Sequence, residues 1–529
     1  MPRFLLVSLN IDAVLQESTI HHRRQKLSAM TDGLGLGDAY GATLGRIKRQ
    51  GGDKARLGIS ALMWISHAER PLRADELCQA LAVETGSLNL NIDNVPSIGT
   101  LLACCQGLVA VEKEASTVRL IHFTLQEYLL AHSDLFDAAH STMAETCLSY
   151  LNSQQVKTIS TSDSPDLQHT PFVEYSSLYW GVHAKRDLSG CAKQLALKLF
   201  DDYHSHISTK ILFKENQVWG VSVDQFSGFS GLHCASFFGI AEIVAGFVET
   251  KGYGINQIDF SGRTPLHWAA WNGHEEVVET LLGLDGIIPD KPDTNGETPL
   301  HIAANCGREG EVKILLGQGL NPDIPNLNDQ TPFFLACREG QEGMAKMLLE
   351  QGGVNPDKPD ILGRTPFYLA AEHGNDGVVK ILLGRDDVNP DKPNNEGQTP
   401  LLAAAAHGRE GIVKMLLEKD EISPDTPDTM GRTPFWWAAC QGQEEVVKIL
   451  LERGDIDHDK PNFIGRTPLY RAAGNGHEGV VKLLLGRDDI NPNTMDKDGK
   501  TPLDSATEEG YQELIALLQP LKSATSSLP

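Results

Sequence analysis

Nowhere does the chain approach the ~20 consecutive apolar residues of a membrane-spanning helix, so no membrane partner is expected. Basic residues are scarce. Lys and Arg number 46 against 70 Asp and Glu, a formal net charge of −24. Neutralising nucleic-acid phosphates needs a basic face, so no nucleic-acid partner is expected either. Nine cysteines are scattered without C-x-x-C spacing, which fits reduced thiols rather than a disulfide framework. Asp12 interrupts the apolar start "MPRFLLVSLNIDAVL" and no small-residue cleavage site follows, so the cytoplasm is the expected location. No G-x-x-x-x-G-K-[ST], G-x-S-x-G, H-E-x-x-H or paired Cys/His pattern occurs. No catalytic, cofactor or metal site is therefore expected.

What is present is a period. Thr-Pro recurs at 264, 298, 331, 365, 399, 433, 467 and 501, at steps of 34 with one of 33. One step back from Thr264, Ser230 opens "SGLHCASFFG", a degenerate copy of "TPLHWAAWNG". In all nine units a glycine follows the Thr or Ser by nine residues. Thr is a good N-cap and Pro suits the first helical position. The glycine ends a short helix where left-handed geometry is cheap. A second helix follows with paired apolar residues, as at Val277, Val278, Leu281 and Leu282. Helices this short need neighbouring copies to bury their apolar faces.

"GRTPLHWAAWNGHEEVVETLL" resembles the ankyrin repeat, over residues 221–520. The expected fold is mainly α, an ankyrin-repeat solenoid of about nine repeats behind a helical and winged-helix domain. Most units have 34 residues where the family has 33. The short copy "LLGQGLNPD" places the extra residue in the loop after the second helix. The T-P-L-H histidine is present at 233, 267 and 301 and replaced by Phe334, Tyr368, Leu402, Trp436 and Tyr470. The resemblance implies that this His bonds between repeats, and packing is expected to take over where it is replaced. The recurrent "NPDKP" segments have the acids of a calcium loop. Two prolines pin each copy, so they are expected to carry chain between repeats and not to hold an ion. Large apolar residues in the first unit, Leu232, Phe237, Phe238 and Phe247, are expected to pack against upstream residues.

Upstream, "ALMWISHAERPLRADELCQALAVE" reads as helix, turn and helix, and two short β-rich runs follow at 108–111 and 117–123, a winged-helix pattern. The second helix carries Asp75, Glu76 and Glu84 against Arg73, a poor groove reader. These stretches resemble the winged-helix segment after the NACHT-type module of fungal signal-transducing ATPases with ankyrin tails. The resemblance implies five parts: a helical remnant of that module (1–57), the winged helix (58–135), a helical connector (136–220), the repeats, and a disordered tail (521–529). "GLGLGDAYG" (33–41) lacks the Lys-Ser/Thr of a phosphate loop and is expected to start a helix.

The expected function is a non-enzymatic scaffold for a protein partner. The alternative is the regulatory portion of a fungal NTP-dependent switch in self/non-self recognition, its NTPase core missing from this chain. The resemblance places partners against hairpin tips and the concave helix face. Candidates before each Thr are Arg263, Glu297, Gln330, Arg364, Gln398, Arg432 and Arg466; candidates seven after it are Trp271, Arg338 and Glu372. That mixed, partly basic row suggests an acidic or polar partner surface. Trp271 is the hot-spot type.

Overall fold

A computed structural model describes residues 36–525, apart from 88, 113, 160–166, 168, 216–227 and 252–253, together with 19, 22 and 25. Most of the expected helical remnant before residue 36, and the connector boundary at 220, lie outside the described residues. The chain divides into two compact units: one runs to Asn272 and includes Gly283–Ile287, and the other holds Gly273–Leu282 and everything from Ile288.

The first unit opens with α1 (Leu36–Arg49) and α2 (Gly52–His67), so "GLGLGDAYG" does lead into a helix. Helix α2 runs unbroken across the expected boundary at 57/58, because Ala61, Leu62 and Trp64 bury on a face continuous with Gly58. Then come β1 (Leu72–Arg73), α3 (Ala74–Ala82), α4 (Ile98–Cys104), β2 (Val109–Val111), β3 (Thr117–Leu120) and α5 (Phe123–Ala131). The wing is a three-stranded antiparallel sheet in the order β1-β3-β2, with Leu72 opposite Val118 and Val109 opposite Leu120. Glu76, read in the sequence as a surface acid, is fully buried. It receives both Arg70 nitrogens, at 2.9 and 2.7 Å, and the Arg73 N–H, which closes a cap on α3.

The connector supplies α6 (Ala139–Leu151), α8 (Val173–Arg186) and α9 (Gly190–Leu199), with the single-turn α7 (Gln154–Lys157) between the first two. The first repeat begins with α11 (Gly231–Phe238), after α10 (Ile207–Glu215); Phe238 and Phe247 pack upstream as expected, whereas Phe237 meets Trp268 of the next repeat at 5.9 Å. Phe238 meets Trp180 of α8 edge-on at 5.1 Å, and Phe247 meets Phe200 at 6.3 Å. Gly181 lies one residue after Trp180, and a Cβ there would sit 2.1 Å from the Phe238 ring.

In the second unit each repeat is the expected helix pair, for example Pro366–His373 with Asp376–Leu383 and Pro400–Ala406 with Glu410–Leu417. Thr331, Thr365, Thr399, Thr433 and Thr467 each accept the N–H three residues on through Oγ1. All nine phase glycines have positive φ, from 68° to 86°. The last helix reaches Thr525, beyond 521 where a tail was expected. Adding a turn to an existing helix costs little, since each residue brings its own hydrogen bond.

Candidate functional site

The residues before each Thr belong to a device the sequence reading missed. Four positions earlier stands an Asp or Asn whose Oδ1 accepts the N–H groups two and four residues on, closing the hairpin turn. Asp360, Asn394, Asp428 and Asn462 do so at 2.9–3.2 Å. The other side-chain atom then selects the residue before Thr. Asp360 Oδ2 takes Nε and Nη2 of Arg364 at 3.0 and 2.7 Å, and Asp428 Oδ2 takes Arg432 Nε at 2.6 Å. At two turns that hold Asn an amide answers it: Asn326 Nδ2 donates to Gln330 Oε1 and Asn394 Nδ2 to Gln398 Oε1. Arg466, whose own turn holds Asn462, reaches Asp496 of the next hairpin at 3.1 Å.

The expected recognition row is thus largely committed within the molecule. Gln330 is buried. Arg364, Arg432 and Arg466 have their charge met by carboxylates whose side chains are at most 1 % exposed. Arg338 donates to Asn305 Oδ1 and Glu339 Oε1. The Glu297 N–H closes its turn on Asp293. In the first unit Trp271 is half-buried and stacks parallel to Trp268 at 5.7 Å, while the Arg263 guanidinium lies 4.5 Å over its ring. Glu372 and Gln398 are brought together in a cavity described below.

The histidine positions also differ from expectation. His233 and His301 bond as the resemblance implies, each with Nδ1 at its cap and Nε2–H donating to the carbonyl before the next Thr, Arg263 or Gln330, at 3.0–3.1 Å. Burial pulls His301 down to about 4, so it is neutral in this role near pH 7. Packing alone was expected where the His is replaced. Instead Trp436 Nε1 donates to the Arg466 carbonyl at 2.9 Å, the equivalent acceptor, and the Tyr368 hydroxyl donates to Gln398 Oε1. An indole or phenol reaches as far as an imidazole and keeps the carbonyl or amide from being stranded. Phe334 joins Leu335, Tyr368, Leu369 and Ala403 in a buried apolar cluster.

The "NPDKP" segments form a ladder of ion pairs between repeats. Lys358, Lys392 and Lys460 each donate to Oδ2 and the carbonyl of an Asp 35 residues earlier: Asp323, Asp357 and Asp425. Rungs lack the cation where another residue stands in place of Lys, as at Thr426 and Thr494. There burial raises the Asp391 carboxyl and pushes Asp459 up to about 6. No cluster that could hold a metal occurs among the described residues. Thr494→Lys is expected to complete the rung. An acid raised in the folded state is most destabilising when ionised, so the gain is full above pH 6 and fades toward pH 4. Asp459 is half-exposed to solvent, so the gain at pH 7 is only about 1 kcal/mol. Urea unfolding at pH 7 and pH 4.5 reads this difference.

Two features face solvent. The first is a row of large apolar side chains on the hairpin tips: Leu327 (72 % exposed), Ile361, Leu362, Met430, Phe463 (61 %), Ile464 and Met495. Their backbones join tip to tip, one bond per repeat, as in Leu327 N–H to Asn295 O and Phe463 N–H to Met430 O, both 3.0 Å. The second is a cavity of ≈ 440 Å³ built by three consecutive repeats. Tyr368, Glu372, Leu402, Ala403, Ala406 and Trp437 are among its walls, with Gln398 at the turn. Neither was visible in the sequence, though hydrophobic residues beside the turn Asp or Asn were a signal for the tips. No helix among the described residues is long and apolar enough to cross a membrane.

Comparison with known families agrees with this architecture. "GPI inositol-deacylase, winged helix domain" matches residues 48–143, starting ten residues before the expected boundary. A search of curated proteins found no match. "Ankyrin repeats (3 copies)" matches 202–293, 284–360, 300–394, 367–462 and 454–525, more than half of the chain. With the capped helix pairs, the phase glycines and the hairpin ladder in place, the chain belongs to the ankyrin-repeat family.

Proposed function

We propose that this chain is a non-enzymatic scaffold that holds a protein partner against its hairpin tips and the cavity on its first helices. The observation that carries this reading is the row of exposed apolar tips. Leu327, Leu362, Met430 and Phe463 lie in water on hairpin tips that backbone hydrogen bonds join from repeat to repeat. Exposed apolar residues arranged this way are a recognition surface, whereas scattered ones need no explanation. The arginines before Thr serve the hairpins, which shifts recognition from charge to apolar contact. Cytoplasmic residence accords with the reading.

Replacing Leu327 and Phe463 together by Lys tests it. Both are exposed, so the melting temperature is expected to stay within a degree or two. Affinity for a polypeptide retained by the wild-type chain is expected to fall at least about tenfold, ~1.4 kcal/mol. Unchanged affinity would remove the tips from the interface.

The succession of winged helix and ankyrin repeats supports a second reading, the regulatory portion of a fungal NTP-dependent signalling switch. Sequencing the transcript upstream of Met1 for a phosphate-loop motif tests that reading.

A further inference from the structure

The cavity in the second unit has a particular chemistry. Its acid is Glu372, at the C-terminal end of the Pro366–His373 helix, and no Lys or Arg is among its lining residues. The Glu372 carboxylate is 24 % exposed; His373 Nδ1 lies 3.8 Å from it, beyond hydrogen-bond distance, and the nearby Arg409 Nε is spent on the Glu372 backbone carbonyl at 3.0 Å. That same Nδ1 is engaged with the Leu369 carbonyl at 2.9 Å. His407, also in the wall, has Nδ1 3.0 Å from the Ala403 carbonyl oxygen. A carbonyl only accepts, so Nδ1 carries the proton and the lone pair of neutral His407 sits on Nε2.

Gln441 and Gln443 also line the cavity, and the rest of its wall fits the stem of a long side chain. Leu402, Ala403 and Ala406 are apolar, and the two alanines leave room beside the larger Tyr368 and Trp437. The Trp437 N–H is spent on Asp428 Oδ2 at 3.2 Å, and the Tyr368 hydroxyl on Gln398 Oε1 at 3.1 Å. Both aromatic groups therefore offer the cavity little hydrogen-bond donation and much surface. The Arg432 guanidinium near Trp437 is held by Asp428.

From these groups we infer that the cavity is a receptor for one basic side chain, lysine or arginine, of a partner polypeptide. An aliphatic stem lies along Leu402, Ala403 and Ala406. The cationic head meets the Glu372 carboxylate and the Nε2 lone pair of His407, with the aromatic walls at its sides. This reverses the polarity expected from the sequence, because Arg364, Arg432 and Arg466 are paired with hairpin aspartates, whereas the acid in the cavity wall is Glu372. The inference rests on the scaffold reading above and names the partner chemistry at one of its two surfaces.

The test uses the full chain with 5-fluorotryptophan, the Trp437 resonance being assigned through Trp437→Phe. Four capped pentapeptides serve as probes, acetyl-Gly-Ala-X-Ala-Gly-amide with X as Lys, Arg, norleucine or Glu. Lys and Arg peptides are expected to shift the Trp437 resonance saturably, while norleucine and Glu peptides leave it unmoved. Glu372→Gln is expected to weaken the Lys or Arg peptide about tenfold, since the amide oxygen still accepts but the carboxylate's charge is lost. Ala406→Trp, which fills the cavity, is expected to abolish the shift. Equal response to norleucine, or an unchanged affinity in Glu372→Gln at an unchanged melting temperature, overturns the inference. Failure of the scaffold reading looks different: the peptide shift survives, and Ala406→Trp abolishes it while leaving partner binding untouched.

Discussion

Arg364→Glu is expected to destabilise the second unit by about 2–4 kcal/mol, because it removes the cation from a buried carboxylate and installs a like charge against it. Asp360 is only 1 % exposed at its side chain and has Oδ1 committed to two backbone N–H groups. It cannot turn away without opening the hairpin. The molecule itself supplies the control. Asn394 and Gln398 make the same turn with neutral partners. The double change Asp360→Asn with Arg364→Gln is therefore expected to cost less than about 1 kcal/mol, far below the sum expected of two independent losses. Chemical denaturation of the four variants in the cycle gives the coupling directly. The same arithmetic bears on function. A charge reversal at Arg364 or Arg432 that abolished partner binding would report a damaged hairpin, whereas the Asn/Gln pair removes the charge with the turn intact.

Gly181→Ala is the second large effect, and its sign runs against propensity. An alanine within a helix ordinarily stabilises by about 1 kcal/mol relative to glycine. Here its methyl would lie 2.1–2.5 Å from three atoms of the Phe238 ring, with Trp180 packed against the same ring. Neither ring has space to retreat, since Trp180 is fully buried and Phe238 nearly so. The net result is expected to be a loss of about 1–3 kcal/mol from overpacking. Adding Phe238→Leu is expected to recover part of it by narrowing the side chain. Thermal unfolding of Gly181→Ala, Phe238→Leu and the double variant checks this, and a stabilised single variant would show that α8 and the first repeat are not in close contact.

How much of this the sequence displayed depends on whether a feature is local. Thr-Pro and the phase glycine are readable because each answers a backbone requirement within one repeat: an N-cap, a proline without a donor, a positive φ. The winged helix was readable for the same reason, as helix, turn, helix and two strands in order. Its short third strand, Leu72–Arg73, was not, because two residues acquire strand character only from their pairing with Thr117 and Val118. The Lys–Asp rungs join residues 35 apart, so they are invisible until the repeats are stacked. The turn pairs are local, yet they were missed because Asp with Arg and Asn with Gln read as surface composition. Only the bonds reveal that Asp360 and Asp428 are paired with Arg364 and Arg432, and Asn326 and Asn394 with Gln330 and Gln398. The cavity is the least legible feature of all. It exists because Ala403 and Ala406 of one repeat stand between Tyr368 and Trp437 of its neighbours, and no single repeat contains it.

The central claim is that recognition uses the hairpin tips and the cavity and not the outer helices. Photo-cross-linking addresses it directly, with p-benzoylphenylalanine placed at Phe463 on a tip, at His407 in the cavity wall, or at exposed Lys448 on the second helix of its repeat. The account predicts one discrete polypeptide adduct formed from 463 and from 407, competed away by unlabelled wild-type chain, and none from 448. Adducts formed equally from all three positions, or from 448 alone, would contradict it.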